Sequence, residues 1–248
     1  MRNAEELKTE ESTSLQRYLR LTTILDYNNK EIQDLISERK WMELDAVTKV
    51  KYIYDYVRDE ILFGYNTSDS IKASEVLKEG YGQCNTKSSL LMALLRGVGI
   101  PNRIHGFTID KALQKGAVTG LWYWLAPKNI LHSWVEVWVD GAWYFLEGVI
   151  LDKTYLTALQ EQNKDCVTTF CGYGTYTNEF KNPPIEWNLN HTYIQKEGIN
   201  QDFGLFETPD AFYAKHQQKL GKIKEFIFQK IVRHTMNKNV RTIREMKK

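Results

Sequence analysis

The chain reads as an α+β protein in which helices come first and an antiparallel sheet follows. Three observations lead there. Apolar residues recur at helical spacing up to about residue 97; period-two alternation takes over after Pro101; and Asp140-Gly141 divides two aromatic-rich strands as a hairpin turn should. With 248 residues, 42% apolar and 26% charged, the chain can bury a substantial core. No linker-like stretch divides it, so a single domain over 1–248 is expected.

The first fourteen residues are polar. Leu15, Leu19, Leu21, Ile24 and Leu25, then Ile32, Leu35 and Ile36, predict two short helices broken by Asp26-Tyr27-Asn28-Asn29. Val47, Val50, Ile53, Tyr54 and Val57 predict an amphipathic helix over roughly 45–59. A polar turn at 66–70 and a short helix at Ala73–Lys78 lead to GYGQC and the apolar run SLLMALLRGVGIP, a helix that begins at Cys84 and closes at Gly97 and Gly99. Strands are predicted at 102–109, 132–139 and 142–147, with a loop or short helix at 110–121. A helix is predicted at 153–165, irregular loops at 166–205, and one long helix at about 210–234 opened by Pro209.

Two stretches carry chemistry. A cysteine in the first turn of a helix lies beside N–H groups without intrahelical acceptors and the positive end of the helix dipole, which favour a thiolate and can hold an oxyanion. The hairpin supplies a base. With a two-residue turn Val139 faces Ala142, so His132 faces Val149 and Glu147 lies one diagonal step away on the same face. A carboxylate beside an imidazole fixes its tautomer and stabilises the imidazolium. Trp122 and Trp124 are candidate groove residues.

GYGQC, SLLMALLRGVGIPNR and HSWVEVWVDGAWYFLEGVILD, preceded by TKVKYIYDYVRDEILFGYN, resemble the transglutaminase-like superfamily of papain-like cysteine enzymes. The resemblance covers about 45–155 and implies a helical layer carrying the cysteine, packed on an antiparallel sheet carrying histidine and acid. It makes 1–44 an N-terminal helical extension, 45–155 the core, and 156–248 accessory loops and a C-terminal helix. It also implies a catalytic set of Cys84, His132 and the position of Glu147, where the family usually has Asp, with Asp152, which echoes the family's Asp-Pro-Thr, as the reserve for the acidic role. The backbone N–H of Cys84 with a nearby side chain such as Gln83 is implied as the oxyanion hole, and a thioester intermediate on Cys84.

Hydrolysis of a peptide or amide is the first expectation, and glutamine–lysine acyl transfer the second. A non-catalytic peptide-binding module is the rival from another class. The arginine-glycine approach of arylamine N-acetyltransferases and the zinc cysteines of peptide N-glycanases are not found. Cys166, Cys171 and His191 lack a fourth zinc ligand, so neither metal nor cofactor is expected. Three cysteines and an N-terminus without an apolar stretch suggest a cytoplasmic protein. A net charge of +2 points to no nucleic-acid or membrane partner, leaving a peptide or protein substrate. Oligomeric state is left open.

Overall fold

The computed structural model describes residues 14–218 and 221–246. In chain order the helices are α1 (Lys30–Glu38), α2 (Ala46–Asp59), α3 (Ala73–Glu79), α4 (Cys84–Gly97), α5 (Gly120–Leu125), α6 (Lys153–Gln162), α7 (Pro209–Lys215), α8 (Lys222–Ile227) and α9 (Arg233–Glu245). The strands are β1 (Leu62–Phe63), β2 (Tyr81–Gly82), β3 (Asn102–Asp110), β4 (Asn129–Val139), β5 (Ala142–Phe145), β6 (Phe170–Gly172), β7 (Thr175–Thr177) and β8 (Ile199–Phe206). Among the described residues no helix is long and apolar enough to cross a membrane.

The architecture is α+β, as expected. One antiparallel sheet runs in the order β5-β4-β3-β8. Helix α4 lies against β3 and β4, with α2 and α3 packed on its other side. Its residues 84–96 are all buried, so it is the central element of the core. A helix apolar on most of its circumference has to be covered all round, and the neighbouring helices do so.

The hairpin register agrees with its sequence signal. Asp140 and Gly141 have φ of 51° and 77°, the left-handed pair of a type I′ turn, and Val139 faces Ala142. The pairing stops at Glu136 opposite Phe145, however, and Glu147 sits in a single 3-10 turn at Glu147–Val149. The chain is drawn off the ladder there because Thr192 takes over its backbone bonds. The Thr192 N–H donates to Phe145 O (2.8 Å) and its carbonyl accepts from Glu147 N (3.2 Å).

Three other expectations differ. The first predicted helix is only a 3-10 turn at Gln16–Leu19. The region 166–205 contains two short strands and most of β8, which completes the sheet beside β3. β8 is half-exposed and interrupted by register shifts, so its sequence lacks clean alternation. The predicted C-terminal helix is broken after Lys215. It resumes as α8, passes through a π-helical turn at Phe228–Val232 and ends as α9.

Candidate active site

Cys84 is the first residue of α4 and is 9% exposed. The residues before it build the helix start. Gly80 closes α3 with φ of 71°, and Gly82 passes so close to the next helical turn that a Cβ there would come within 2.7 Å of Thr86 Oγ1. Thr86 Oγ1 in turn accepts from the Gln83 N–H (3.1 Å). The two glycines of GYGQC are therefore steric requirements of this entry into the helix.

The next residue fixes the helix tip to the histidine strand. Asn85 Nδ2 donates to Leu131 O (3.1 Å), and Asn85 Oδ1 accepts from Ser133 Oγ (2.9 Å). One side chain thus holds both neighbours of His132. The Ser133 N–H is also near enough to the Cys84 sulfur to favour its charged form electrostatically.

His132 and Glu147 are both fully buried, and His132 Nε2 lies 2.9 Å from Glu147 Oε1. Glu147 Oε2 accepts from the backbone N–H groups of Ile194, Gln195 and Lys196 at 2.9, 3.0 and 3.0 Å. Three backbone donors on Oε2 favour an acceptor-only carboxylate, so the hydrogen bond at Oε1 places the imidazole proton on Nε2. Nδ1 is then a bare acceptor, buried and without a hydrogen-bond partner; no hydrogen bond joins it to the Cys84 thiol. The extra methylene of Glu is accommodated because the carboxylate sits on a turn and leans on 194–196.

Asp152 is committed elsewhere. It caps α6 through Tyr155 N (2.8 Å), accepts from Phe63 N (2.9 Å) and pairs with Arg244 at 2.7 Å. Burial alone would push its carboxyl up, but Arg244 and these N–H donors outweigh that and hold it below the usual aspartate range.

A cavity of about 960 Å³ opens above Cys84. Trp122 lines it, whereas Trp124 is 74% exposed and does not. Two residues along a short helix lie about 200° apart, so both cannot face one groove. Gln83 lines the cavity, but its side chain is already bonded. Its Oε1 accepts from Asn66 N (2.9 Å) and its Nε2 donates to Asp69 Oδ1 (3.0 Å).

Two cavity residues escape a reading of the sequence. Asp69, from the polar turn 66–70, accepts from Gln83 and has the Asn85 side chain within hydrogen-bonding reach, so the residues on both sides of Cys84 hold it. Tyr213 on α7 presents a buried hydroxyl, with the Ser133 and Ser89 side chains within hydrogen-bonding reach, close enough to feel the charges of Asp69 and Cys84. Neither lies in a local motif; only the tertiary fold brings them in.

Electrostatics correct one expectation. Burial pushes the Cys84 thiol well up, and the charges of Asp69 and Glu147 add to that, outweighing the Asn85 and Ser133 N–H groups. Burial thus opposes the thiolate that a place at a helix start would favour. Among the described residues no group of three or more His, Cys, Asp or Glu could hold a metal ion.

Residues 35–148 match the family model described as the transglutaminase-like superfamily. Among curated proteins, the uncharacterised protein YebA of Bacillus subtilis (strain 168) is 30% identical over 149 residues, covering 56% of this chain and 20% of that one. The chain thus spans about a fifth of that relative. Among solved structures, a candidate cysteine protease from Cytophaga hutchinsonii overlaps 79% of this chain and 48% of its own, at 13% identity and a TM-score of 0.44. Red sea bream transglutaminase overlaps 50% of this chain and 25% of its own, at 19% identity and a TM-score of 0.29.

Proposed function

We propose, from the match of residues 35–148 to the transglutaminase-like superfamily model, that the chain is a cysteine enzyme acting on amide or peptide bonds through a thioester on Cys84. The observation that carries this reading is His132, with Nε2 on Glu147 and a buried, unpartnered Nδ1, on the strand clamped to the Cys84 helix tip. Because burial favours the thiol, the proton leaves during attack. His132 Nδ1 takes it, the Cys84 sulfur bonds to the carbonyl carbon, and the carbonyl π pair moves onto oxygen.

The backbone N–H of Cys84 and the Tyr213 hydroxyl are the candidate donors for that oxygen. Nδ1–H then protonates the departing amine as the C–N bond breaks. Water, deprotonated by the same Nδ1, cleaves the thioester to a carboxylic acid and restores the thiol. Hydrolysis is the first choice; an amine in place of water would give acyl transfer. A buried carboxylate bonded to four donors supports Glu147 as the group that holds the imidazole.

A second reading has an observation of its own. The raised thiol and the missing thiol–imidazole hydrogen bond suit a peptide-binding groove without chemistry. The same experiment decides between them. Protein is mixed with p-nitrophenyl esters and peptidyl p-nitroanilides, quenched in acid and weighed by intact-protein mass spectrometry. The enzyme reading expects an acyl adduct on Cys84 that is lost in Cys84→Ala and slowed about 10²–10⁴-fold in His132→Ala. Added butylamine reports transfer by capturing the acyl group. No adduct from the esters, with Cys84 alkylation equal in wild type and His132→Ala, would leave the binding module.

A further inference from the structure

The cavity wall beside Cys84 holds a carboxylate without a cation. Asp69 lines the cavity and is half-buried. Among the described residues it forms no salt bridge, whereas the fully buried Glu136 and Asp152 are each paired with an arginine and Glu147 with His132. Its donors are neutral amides: Gln83 Nε2 at 3.0 Å, with Asn85 in reach. A carboxylate offers about four lone-pair sites, so two amides leave acceptor capacity on a residue that lines the cavity.

The rest of the wall points the same way. Among the described side chains lining the cavity there is no lysine or arginine. Its other carboxylates are Asp210, spent on Thr22 Oγ1 and Ile24 N, and the exposed Glu225. A negative group in a largely apolar wall is costly without a partner, and that cost is recovered when a ligand supplies one. Neighbouring amides also fix its position. Gln83 and Asn85 flank the nucleophile in sequence, so Asp69 is held in register with Cys84.

We infer that Asp69 is a specificity residue that receives a primary ammonium group of the substrate beside Cys84. The inference rests on the proposed reading of this cavity as a substrate site and adds the class of substrate, a peptide bearing a free amino group close to the bond attacked. A lysine side chain and a free N-terminus share that chemistry.

The test separates binding from turnover. In Cys84→Ala, calorimetry measures three peptides of equal length: N-acetylated with a central lysine, N-acetylated with a central norleucine, and norleucine-centred with a free N-terminus. At least one ammonium peptide should bind about tenfold or more tighter than the neutral one, and which of the two does so names the source of the amine. The preference should vanish in Cys84→Ala/Asp69→Asn and at high salt. Equal binding of all three, or no binding by any, overturns the inference; neither outcome depends on the Asp69 variant folding. Wild-type turnover of the same peptides is scored separately. Preferential binding without turnover would overturn the enzyme reading and leave the ammonium site standing.

Discussion

Replacing Glu147 probes the centre of the site, and the outcome depends on which group is put there. Glu147→Ala removes the acceptor from four donors at once: His132 Nε2 and the N–H groups of Ile194, Gln195 and Lys196. A buried donor left unmatched costs about 1–3 kcal/mol, so the sum is about 4–12 kcal/mol, comparable with the whole stability of a domain. This variant should not fold at 25 °C. Glu147→Gln is different. Its carbonyl can keep the three backbone N–H groups, which leaves its NH₂ facing His132 Nε2. That nitrogen must then accept, and the imidazole proton moves to Nδ1. The loss is one charge-assisted bond, about 2 kcal/mol, or a melting temperature lower by about 4–8 °C. With Nδ1 protonated the imidazole has no lone pair for the Cys84 proton. Acylation should fall about 10³–10⁴-fold, to the level of His132→Ala. Thermal unfolding by circular dichroism and ¹⁵N spectra of labelled histidine read the two effects. A folded Glu147→Ala with nearly wild-type melting would refute the anchoring argument. An Nε2–H tautomer in Glu147→Gln would refute the proton argument.

Three further outcomes follow from the charges. Asp69→Asn removes one negative neighbour from the buried thiol, so the Cys84 pKa should fall and iodoacetamide labelling at pH 8 should quicken about tenfold; an unchanged rate would mean that Asp69 does not act on the sulfur. Lys87 is wholly buried, donates to Arg58 O (3.0 Å), and is pushed down to about 7 by burial, against the pull of Asp152 and Asp59 and with Arg244 and Arg58 helping. The unfolded chain therefore binds more protons between about pH 7 and 10.5, and stability should rise with pH there by at most about 5 kcal/mol; Lys87→Met should flatten the rise in urea midpoints, and parallel curves would sink the account. His105 loses from burial but gains more from Glu136 (2.9 Å) and Asp202 (2.8 Å), with Arg103 also on Glu136, so its imidazolium is favoured. That stability is fully present below about pH 6.5 and lost as pH rises through the raised folded value; His105→Gln should abolish the decline, and an unchanged profile would contradict it.

What could be read from the sequence depended on how local its cause was. The helix beginning at Cys84 and the hairpin with its register rest on glycines and a type I′ turn, visible within a few residues; Glu147 does meet His132, but from a turn beyond the ladder whose spacing predicted the pair. The continuation of the ladder past Phe145 was not legible, because Thr192, nearly fifty residues on, diverts it. Strand β8 was hidden by its half-exposed edge position. Asp69 looked like a turn residue, and Lys87 like any polar residue in a first helical turn. Their surroundings are assembled from distant segments: Gln83 and Asn85 around Asp69, Arg58 over Lys87. Trp124 was misplaced because spacing on a six-residue helix does not say which side meets the cavity.

The bonds from Glu147 to Ile194, Gln195 and Lys196 also set an order of events during synthesis. A nascent chain that has extruded only to about residue 155 already holds Cys84, His132 and Glu147, yet the carboxylate lacks three of its four donors. The imidazole cannot be locked until the segment leading into β8 leaves the ribosome. Glu147 can therefore hold the imidazole fully only once residues 194–196 have joined it, so the His132–Glu147 pair is completed by a segment nearly fifty residues further along the chain.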